Sequence, residues 1–522
     1  MGIELVKDLL KMEDLIGENN VQAIIEGDIL APDTKPDIMV VTAVDGDIQV
    51  RDVEIREDQI FVGGSLKFKV LYTSQQGEDP LYTIDSSTDF KQDIQILGLS
   101  PGMKAEIAAE IEHIDYTLNN ERKIGIRAII NFRAKAIEER TIEITRDVVE
   151  AEDIELLTEN FQHTDIIATR ACEILVRDAI ELGDTGLEIR EVLKCTSVVL
   201  ENESKLTDGK VIVGGNLLLE ILYLAEEDNS LNTVKAQIPF THFVEIPQVY
   251  DGMDYTIRMG VEGLDSTIRE NINGENKVIE VESNIKIDVA VMETRDVDLI
   301  VDAYSPSRQV NLHKNEISIR KSLKIPPSQV LLKENIDIYN NPPIDQVISL
   351  TIKPIVMNYN FFEGKIIIEG VLAASMIYIS RDGIQPINNY MGDIPFRHHL
   401  EMEDRGKPVE LDIKLLVQDL DYSKINEEQV EVRVNLASIC EANSIELMNI
   451  VSHIEEAEEE LDISKRPSLT IYFFQEGDSL WKIAKKYRTR VENIILSNNI
   501  ENMEDIKVGD QILIEKIYDF KF

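Results

Sequence analysis

The amino-acid sequence predicts a mainly β protein, with three repeated antiparallel β-sandwich-like domains followed by a small α+β domain of βααβ order. Three observations predict this fold class. A unit of about 150 residues recurs through the first 450 residues, and apolar and polar residues alternate with a period of two within each unit. Apolar residues at helical spacing occur in the last fifty residues. A chain of 522 residues has room for three or four such domains.

The predicted domain boundaries follow the repeat. They are residues 1–148, 149–304 and 305–452 for repeats 1 to 3, 453–467 for an acidic linker and 468–516 for the C-terminal module. The linker contains Glu455, Glu456, Glu458, Glu459, Glu460 and Asp462. Like charges repel and keep a segment extended, so we expect the linker to let the C-terminal module reach its target independently of the repeats. The alternative is a helix end that contacts a basic partner.

A glycine-containing segment marks the same position in each repeat. The segments, spaced by 151 and then 155 residues, are Val62-Gly63-Gly64-Ser65-Leu66, Val213-Gly214-Gly215-Asn216-Leu217 and, in a weaker form, Ile368-Glu369-Gly370-Val371-Leu372. A tyrosine and then a phenylalanine follow each segment: Tyr72 and Phe90, Tyr223 and Phe240, Tyr378 and Phe396. The glycines indicate either close approach of the backbone to a ligand or a bend in a strand. We favour the bend, because an apolar run follows directly.

Two further landmarks predict strands in each repeat. Alternating apolar residues are Ile124, Ile126, Ala128, Ile130, Phe132 and Ala134 in repeat 1, Ile279, Val281, Ile285, Ile287, Val289 and Val291 in repeat 2, and Val430, Val432, Val434, Leu436 and Cys440 in repeat 3. Turns that lead into a strand are predicted at Pro36-Asp37-Ile38, Leu187-Glu188-Ile189 and Pro343-Ile344-Asp345. The alternation is typical of antiparallel strands with one buried and one solvated face.

The net charge of −44 excludes two classes of partner. Nucleic-acid binding needs basic stripes, and adhesion to anionic lipid needs a basic cluster. We therefore expect neither. The charge fits two alternatives, which are solubility through self-repulsion and a partner that has a basic surface.

The sequence contains no signature of secretion or catalysis. The N-terminus has no signal-peptide core, and no apolar run reaches the length of a membrane span, so we expect a cytoplasmic protein. Cys172, Cys195 and Cys440 have no C-x-x-C spacing, which indicates neither disulfides nor zinc. No P-loop, nucleophile elbow or H-E-x-x-H motif occurs. We therefore expect a protein that is not an enzyme and that has no catalytic residue, metal or cofactor.

The C-terminal module has the residue order of a small binding domain. Ser479 or Asp478 can cap a helix whose apolar stripe is Leu480, Ile483, Ala484 and Tyr487. A capping box, Thr489-x-x-Glu492, predicts the start of a second helix, and Val508, Ile512 and Ile514 predict a closing strand. The segment from Leu469 to Lys516 resembles the LysM family along its whole length. The resemblance implies a βααβ fold that recognises N-acetylglucosamine polymers and does not catalyse.

The resemblance also implies a location for a glycan groove. Carried over to this sequence, the groove lies between two loops, which contain Gly477, Asp478, Ser479 and Leu480 on one side and Asn499, Ile500, Glu501 and Asn502 on the other. A cytoplasmic LysM module has no ready access to cell-wall glycan, so the expected ligand is a protein. Asp478, Ser479, Leu480 and Trp481 are the expected partner-binding face.

Trp481 is the only tryptophan of the chain and lies one residue outside the apolar stripe of the first helix. One helical residue is a rotation of about 100°, which places the indole at the edge of the buried face. Two interpretations are open. The ring covers the rim of a small core, or it anchors a partner, since tryptophan is enriched among binding hot spots.

The repeats resemble the SPOCS domain of spore-coat and spore-morphogenesis proteins, through residues 30–38 in repeat 1 and 342–345 in repeat 3. Repeat 2 lacks the proline of this stretch. Three such repeats followed by one LysM module resemble the SipL-like spore morphogenetic proteins. The resemblance implies a scaffold of coat assembly in the mother cell, at the forespore surface. Its LysM module would bind the SpoIVA-type ATPase of the coat basement layer, and other coat proteins are further partners. The alternative is a protein that binds glycan of cortex or cell wall.

Overall fold

The computed structural model describes residues 4–149, 153–183, 186–323, 325–339, 341–380, 386–402, 410–457 and 467–515. Within these ranges the chain is mainly antiparallel β-sheet, and both α-helices lie in the C-terminal module. The prediction of a mainly β protein with a small α+β module is confirmed. Of the predicted linker, residues 458–466 lie outside the described residues. Residues 453–456 belong to the last strand of repeat 3.

Repeat 1 is a sandwich of two three-stranded sheets. Its strands are β1 (Glu4–Leu30), β2 (Val40–Arg56), β3 (Gln59–Thr73), β4 (Tyr82–Gln95), β5 (Lys104–Asn120) and β6 (Lys123–Val149). One sheet has the order β1-β6-β5 and the other β2-β3-β4, with every pair antiparallel. Apolar residues of both sheets form one buried core between them.

Repeat 2 has the same order of strands. They are β7 (Glu155–Glu181), β8 (Ile189–Glu201), β9 (Lys205–Thr207), β10 (Lys210–Ala225), β11 (Leu231–Glu245), β12 (Asp254–Arg269) and β13 (Val278–Tyr304). The sheets are β7-β13-β12 and β8-β10-β11, and the short β9 adds to β10. They enclose a second buried core.

Repeat 3 differs by one interruption. Its strands are β14 (Val310–Leu323), β15 (Ser328–Asp337), β16 (Gln346–Phe362), β17 (Lys365–Ile379), β18 (Ile387–Glu401), β19 (Glu410–Lys424) and β20 (Gln429–Glu456). β14 and β15 pair with successive parts of β20, as the single strand β1 pairs with β6. Pro326 and Pro327 lie between them, and proline has no N–H with which to continue a ladder.

The alternating residues of all three repeats are buried, as predicted. In β13, Ile279, Val281 and Ile285 are fully buried, and the equivalent positions of β6 and β20 are buried as well. The predicted turns also lead into strands. The N–H groups of Ile38, Ile189 and Ile344 donate to equivalent carbonyls, at 2.7 Å in each repeat. This equivalence corrects the predicted alignment of repeat 3 by one residue, because Pro342 and not Pro343 corresponds to Pro36.

The glycines of the landmark segments accommodate a phenylalanine ring. Gly64 lies opposite Phe90 on the neighbouring strand, and the pairs Gly215–Phe240 and Gly370–Phe396 are equivalent. A Cβ on Gly64 would lie 2.8 Å from the Phe90 ring and would overlap the carbonyl oxygen of Gln49. The glycines are therefore structural, and their spacing to the phenylalanines records a cross-strand pair.

The longest strands extend beyond their own sandwiches. β1, β6, β7 and β13 have 27 residues each and β20 has 28, whereas strands of globular proteins usually have about 3–10. Their outer halves meet in a shared cluster, which we call the axial core. It consists mainly of equivalent residues of the three repeats: Leu10, Phe161 and Ile317; Ile142, Val297 and Met448; Ile144, Leu299 and Ile450. The repeats are therefore related by an approximate threefold axis.

Two further clusters repeat this arrangement along the molecule. One contains Leu71, Leu222 and Ile377 together with Leu81, Leu231 and Ile387. The other contains Leu5, Leu156 and Leu312 together with Val148, Ala303 and Ile454. Each pair of repeats is also joined by polar contacts. Examples are Lys35–Glu191 at 2.7 Å, Ser349–Glu220 at 3.2 Å and Arg320–Glu13 at 3.3 Å. The three repeats thus form a closed body.

We predict that Gly64→Ala destabilises the protein by roughly 1–3 kcal/mol, the usual cost of overpacking, because the new methyl group overlaps the Gln49 carbonyl and the Phe90 ring. The matched control is Gly260→Ala in β12, where a Cβ has no neighbour within 4 Å. The measurement is the thermal unfolding midpoint followed by circular dichroism. Equal midpoints for the two variants would contradict a structural role for Gly64.

Candidate functional site

The C-terminal module is a two-stranded sheet with two helices. Its elements are β21 (Leu469–Phe473), α1 (Leu480–Tyr487), α2 (Val491–Asn498), a 3-10 turn (Met503–Asp505) and β22 (Gln511–Glu515). Ser479 caps α1 by accepting a hydrogen bond from the Lys482 N–H at 3.2 Å. The predicted stripe is confirmed, since Leu480, Ile483 and Ala484 are buried and Tyr487 packs against them half-buried. The closing strand contains Ile512 and Ile514 as predicted, but the prediction for Val508 is wrong, because it lies before the strand and is exposed.

The start of α2 differs from the prediction. Its N-cap is Arg490, which makes no side-chain capping bond, so the predicted capping box of Thr489 and Glu492 is wrong. Thr489 is instead buried, and its carbonyl accepts a hydrogen bond from outside the module. Asn498 joins α2 to β22, because its side chain exchanges hydrogen bonds with the backbone of Leu513 at 2.7 and 2.8 Å.

The module docks through α1 onto the end of β13 in repeat 2. The Trp481 Nε1–H donates to Asp302 Oδ2 at 2.9 Å, and Lys485 Nζ lies 2.6 and 2.7 Å from the two oxygens of the same carboxylate. Lys314 of repeat 3 adds a second ammonium at 3.6 Å from Oδ1. Asp302 thus holds the module and repeat 3 together through one carboxylate.

Tyr304 completes the contact two residues further along the strand. Residues i and i+2 of a strand share a face, so Tyr304 and Asp302 point the same way. The Tyr304 hydroxyl donates to the Thr489 carbonyl at 2.7 Å, and its ring meets Trp481 edge to face with 4.8 Å between centroids. Tyr304 is only 1% exposed and packs in the same cluster as the module's own core, with Leu480 and Ile483. Repeat 2 therefore supplies part of the module's interior.

Two arginines extend the contact. Arg488 donates to the Ser305 carbonyl at 3.2 Å and also contacts the Gln309 side chain. Arg490 lies 3.3 Å from Glu155. Five of the nine residues from Lys482 to Arg490 are basic, in a chain with a net charge of −44. We call the surface of repeat 2 that contacts the module the seat; it consists of Glu155, Asp302 and Tyr304. Basic residues of the module therefore pair with acidic residues of the seat.

The ionisation of Asp302 depends on this contact. Burial acts to raise the pKa of Asp302, but hydrogen bonds from Lys485 and Trp481 and the charge of Lys314 outweigh it, so the pKa lies below its usual value. The carboxylate is therefore charged at neutral pH. Burial raises the pKa of the Tyr304 hydroxyl, which stays protonated and remains a donor.

The expected partner-binding residues lie in different environments. Trp481 is half-buried against repeat 2, and Leu480 is 5% exposed within the core. Ser479 is exposed and caps α1. Asp478 is half-buried and accepts hydrogen bonds from the Tyr472 hydroxyl at 2.7 Å and the Gln475 N–H at 2.9 Å.

The two loops of the expected glycan groove are joined by the module's core, since Leu480 and Ile500 pack in the same cluster. Gly477 has a φ of +82°, which an L side chain would strain, and its carbonyl accepts a hydrogen bond from Lys482 Nζ at 2.8 Å. Asn499, Glu501 and Asn502 are exposed. The second loop therefore presents polar groups to solvent, while Lys482 lies against the first loop.

Sequence reasoning did not find Asp302, Tyr304 or Arg488. Neither of the other two repeats has an aromatic residue at the position of Tyr304, because the equivalent residues are Val149 in β6 and Glu455 in β20. An aromatic residue at one of three equivalent strand ends was a detectable signal. The basic run from Lys482 to Arg490 was a second signal, because it contrasts with the acidic remainder.

No other chemical centre emerges from the part of the chain that the structure describes. Within it, no group of three or more His, Cys, Asp or Glu side chains could hold a metal ion. His313 and His453 lie opposite each other on β14 and β20, with Glu455 at 3.4 and 3.5 Å, and all three are about half exposed. Neither described α-helix has the length or apolar character to cross a membrane.

Comparisons with known proteins agree with this architecture. The family model described as SipL, SPOCS domain, matches residues 37–119, 188–269 and 343–425. The LysM-domain model matches residues 472–515. Neither the curated proteins nor the solved structures gave a match. The three matched segments fall one in each repeat, and the fourth covers the docked C-terminal module.

We predict that the contribution of Asp302 to the contact with repeat 2 is complete down to about pH 4 and is lost below it. A carboxylate with a lowered pKa contributes stability that is fully present above its unfolded pKa, about 3.9 for aspartate, and lost as pH falls through the lower folded pKa. The measurement is the emission wavelength of Trp481, the only tryptophan, which shifts to the red when the ring becomes exposed.

The Asp302→Asn variant is the control for the other carboxyl groups that titrate in acid. It should show the red-shifted emission already at pH 7 and lose the acid transition. An identical pH profile for wild type and variant would show that Asp302 does not hold the module.

Proposed function

Because the chain consists of three SPOCS domains of the SipL type followed by a C-terminal LysM domain, we propose that it is a sporulation adaptor that acts as a non-enzymatic scaffold in coat assembly. Both domain types are non-catalytic binding domains. The single observation that supports this proposal is the domain order, since LysM supplies recognition and the SPOCS domains belong to a sporulation family. The scaffold would act in the mother cell, at the forespore surface.

The shape of the repeats suits a scaffold. Three sandwiches share an axial core and two further apolar clusters, so forces applied to one repeat are transmitted to the others through packed side chains. The strongly negative charge keeps such a body soluble and discourages self-association. We infer that the three SPOCS domains act as one rigid unit that holds the LysM domain at one end.

The partner we propose is the SpoIVA-type ATPase of the coat basement layer, bound through the LysM domain, with other coat proteins as further partners. The proposed partner-binding face contains Asp478, Ser479 and Trp481. Leu480 belongs to the same segment and packs in the core beneath it. Tryptophan on a helix beside lysines suits a polypeptide ligand, because the ring contributes contact area and the ammonium groups contribute hydrogen bonds.

The alternative function is binding of N-acetylglucosamine polymers of cortex or cell wall, through the groove residues Gly477, Asp478, Ser479 and Leu480 and Asn499, Ile500, Glu501 and Asn502. What favours it is the LysM match itself, together with exposed polar groups on the second loop. Binding of chito-oligosaccharides to the purified full chain, with no protein retained from sporulating cells, would favour the glycan over the protein partner.

We predict that Trp481→Glu greatly weakens capture of the SpoIVA-type ATPase by the full chain, because loss of a hot-spot tryptophan typically costs about 2 kcal/mol or more of binding. The measurement is affinity capture from a sporulating lysate, quantified by mass spectrometry. The matched control is Leu496→Glu, which adds the same charge to α2 at a side chain that is 74% exposed. Retention of the ATPase at wild-type level by Trp481→Glu would refute the proposed face.

A further inference from the structure

The contact with repeat 2 shows which chemical groups helix α1 binds. We call the surface formed by Trp481, Lys485 and Arg488 the α1 face. In the structure the end of strand β13 lies on this face and presents Asp302 and Tyr304 on one side. The carboxylate binds the Trp481 N–H and the Lys485 ammonium, and the aromatic ring packs against Trp481 while its hydroxyl reaches the backbone of Thr489. These are the contacts of a bound peptide, although the peptide belongs to the same chain.

We propose that the α1 face of the LysM domain is a polypeptide-binding surface that recognises a carboxylate two residues before an aromatic ring on an extended segment. We further propose that residues Asp302 to Tyr304 of repeat 2 occupy this surface as an internal ligand, which a partner segment of the same chemistry displaces. This inference rests on the proposed function, because it takes the LysM domain as the unit that binds the partner.

Charge complementarity supports this choice of occupant. The face carries Lys485 and Arg488, and Lys482 and Lys486 lie on the same short helix. An acidic segment fits this surface, whereas an uncharged glycan would leave the ammonium groups without carboxylate partners. The recognised pair also has fixed spacing, since positions i and i+2 of a strand are the ones that share a face.

Asymmetry among the repeats supports the internal-ligand role. The three strand ends are equivalent by position, but only β13 has both groups, since β6 presents Asp147 and Val149 and β20 presents His453 and Glu455. The LysM domain follows repeat 3 in sequence and nevertheless sits on repeat 2. The LysM domain therefore lies at the one strand end of the three that carries both an aspartate and a tyrosine.

An internal ligand lowers the apparent affinity for an external one. When only a fraction of molecules is open, the measured dissociation constant is the intrinsic one divided by that fraction. Removing the internal carboxylate weakens the contact with repeat 2 and leaves every residue of the LysM domain unchanged. We therefore expect Asp302→Ala to bind the partner roughly tenfold more tightly than wild type, or better, because the bonds it removes involve a charged group.

The test uses the full chain and a synthetic peptide of residues 297–310. With Asp302→Ala, the peptide should move the Trp481 emission back towards the docked wavelength in a saturable manner. In wild type the indole already contacts Asp302 and Tyr304, so the same peptide should leave its emission unchanged. The control peptide carries alanine in place of Asp302 and Tyr304 and should have no effect. A second chain variant, Tyr304→Phe, keeps the ring that fills the module's interior and removes only the hydroxyl bond, so it should open the seat partly without unfolding the domain.

The outcomes separate this inference from the proposed function. Equal effects of the two peptides, or displacement of the native peptide by chito-oligosaccharide, would overturn the inference. Capture of the ATPase by Asp302→Ala no better than by wild type would overturn it as well, while leaving the proposed partner in place. Conversely, specific peptide binding with no capture of the ATPase by either chain would retain the polypeptide-binding face and reject that partner.

Discussion

The fold depends on one constraint, which is the length of the strands that bracket each repeat. Strands of 27 or 28 residues extend beyond their own sandwiches, and the apolar positions of their outer parts need another core. The outer parts of the equivalent strands of the three repeats pack against one another around a common axis and bury these positions. Leu10, Phe161 and Ile317 form one layer of this packing. Burial of apolar surface at about 25 cal/mol per Å² is the main stabilising contribution of such a cluster. The repeats therefore depend on one another.

Threefold packing also creates three equivalent strand ends, and the sequence makes them chemically different. At the end of β13, Asp302 and Tyr304 provide a charged and an aromatic group, and the LysM domain binds there. Placing the recognition module on a rigid body gives it a defined orientation relative to the repeats. The same contact half-buries Trp481 against Asp302 and Tyr304. The position of the LysM domain thus depends on side chains at one strand end.

Much of the fold was predictable because its signals are local. Period-two alternation identified the buried strands, and the spacing from Gly64 to Phe90 proved to be a cross-strand pair. The apolar stripe of α1 and its Ser479 cap were readable for the same reason. The candidate site was not predictable in this way, because its contact joins Trp481 to Asp302, which lie 179 residues apart in the sequence. The predicted Thr489 capping box is wrong because the helix begins one residue later, with Arg490 as its N-cap.

The most direct test is zero-length carbodiimide cross-linking of the intact chain, followed by peptide mass spectrometry. This reagent joins an ammonium to a carboxylate only when they are in contact. We expect a Lys485–Asp302 cross-link, since the two groups lie 2.6 Å apart. The exposed pair Lys7–Glu143, at 2.7 Å, serves as the positive control. Recovery of the control link without the Lys485–Asp302 link would contradict the seating of the LysM domain on repeat 2.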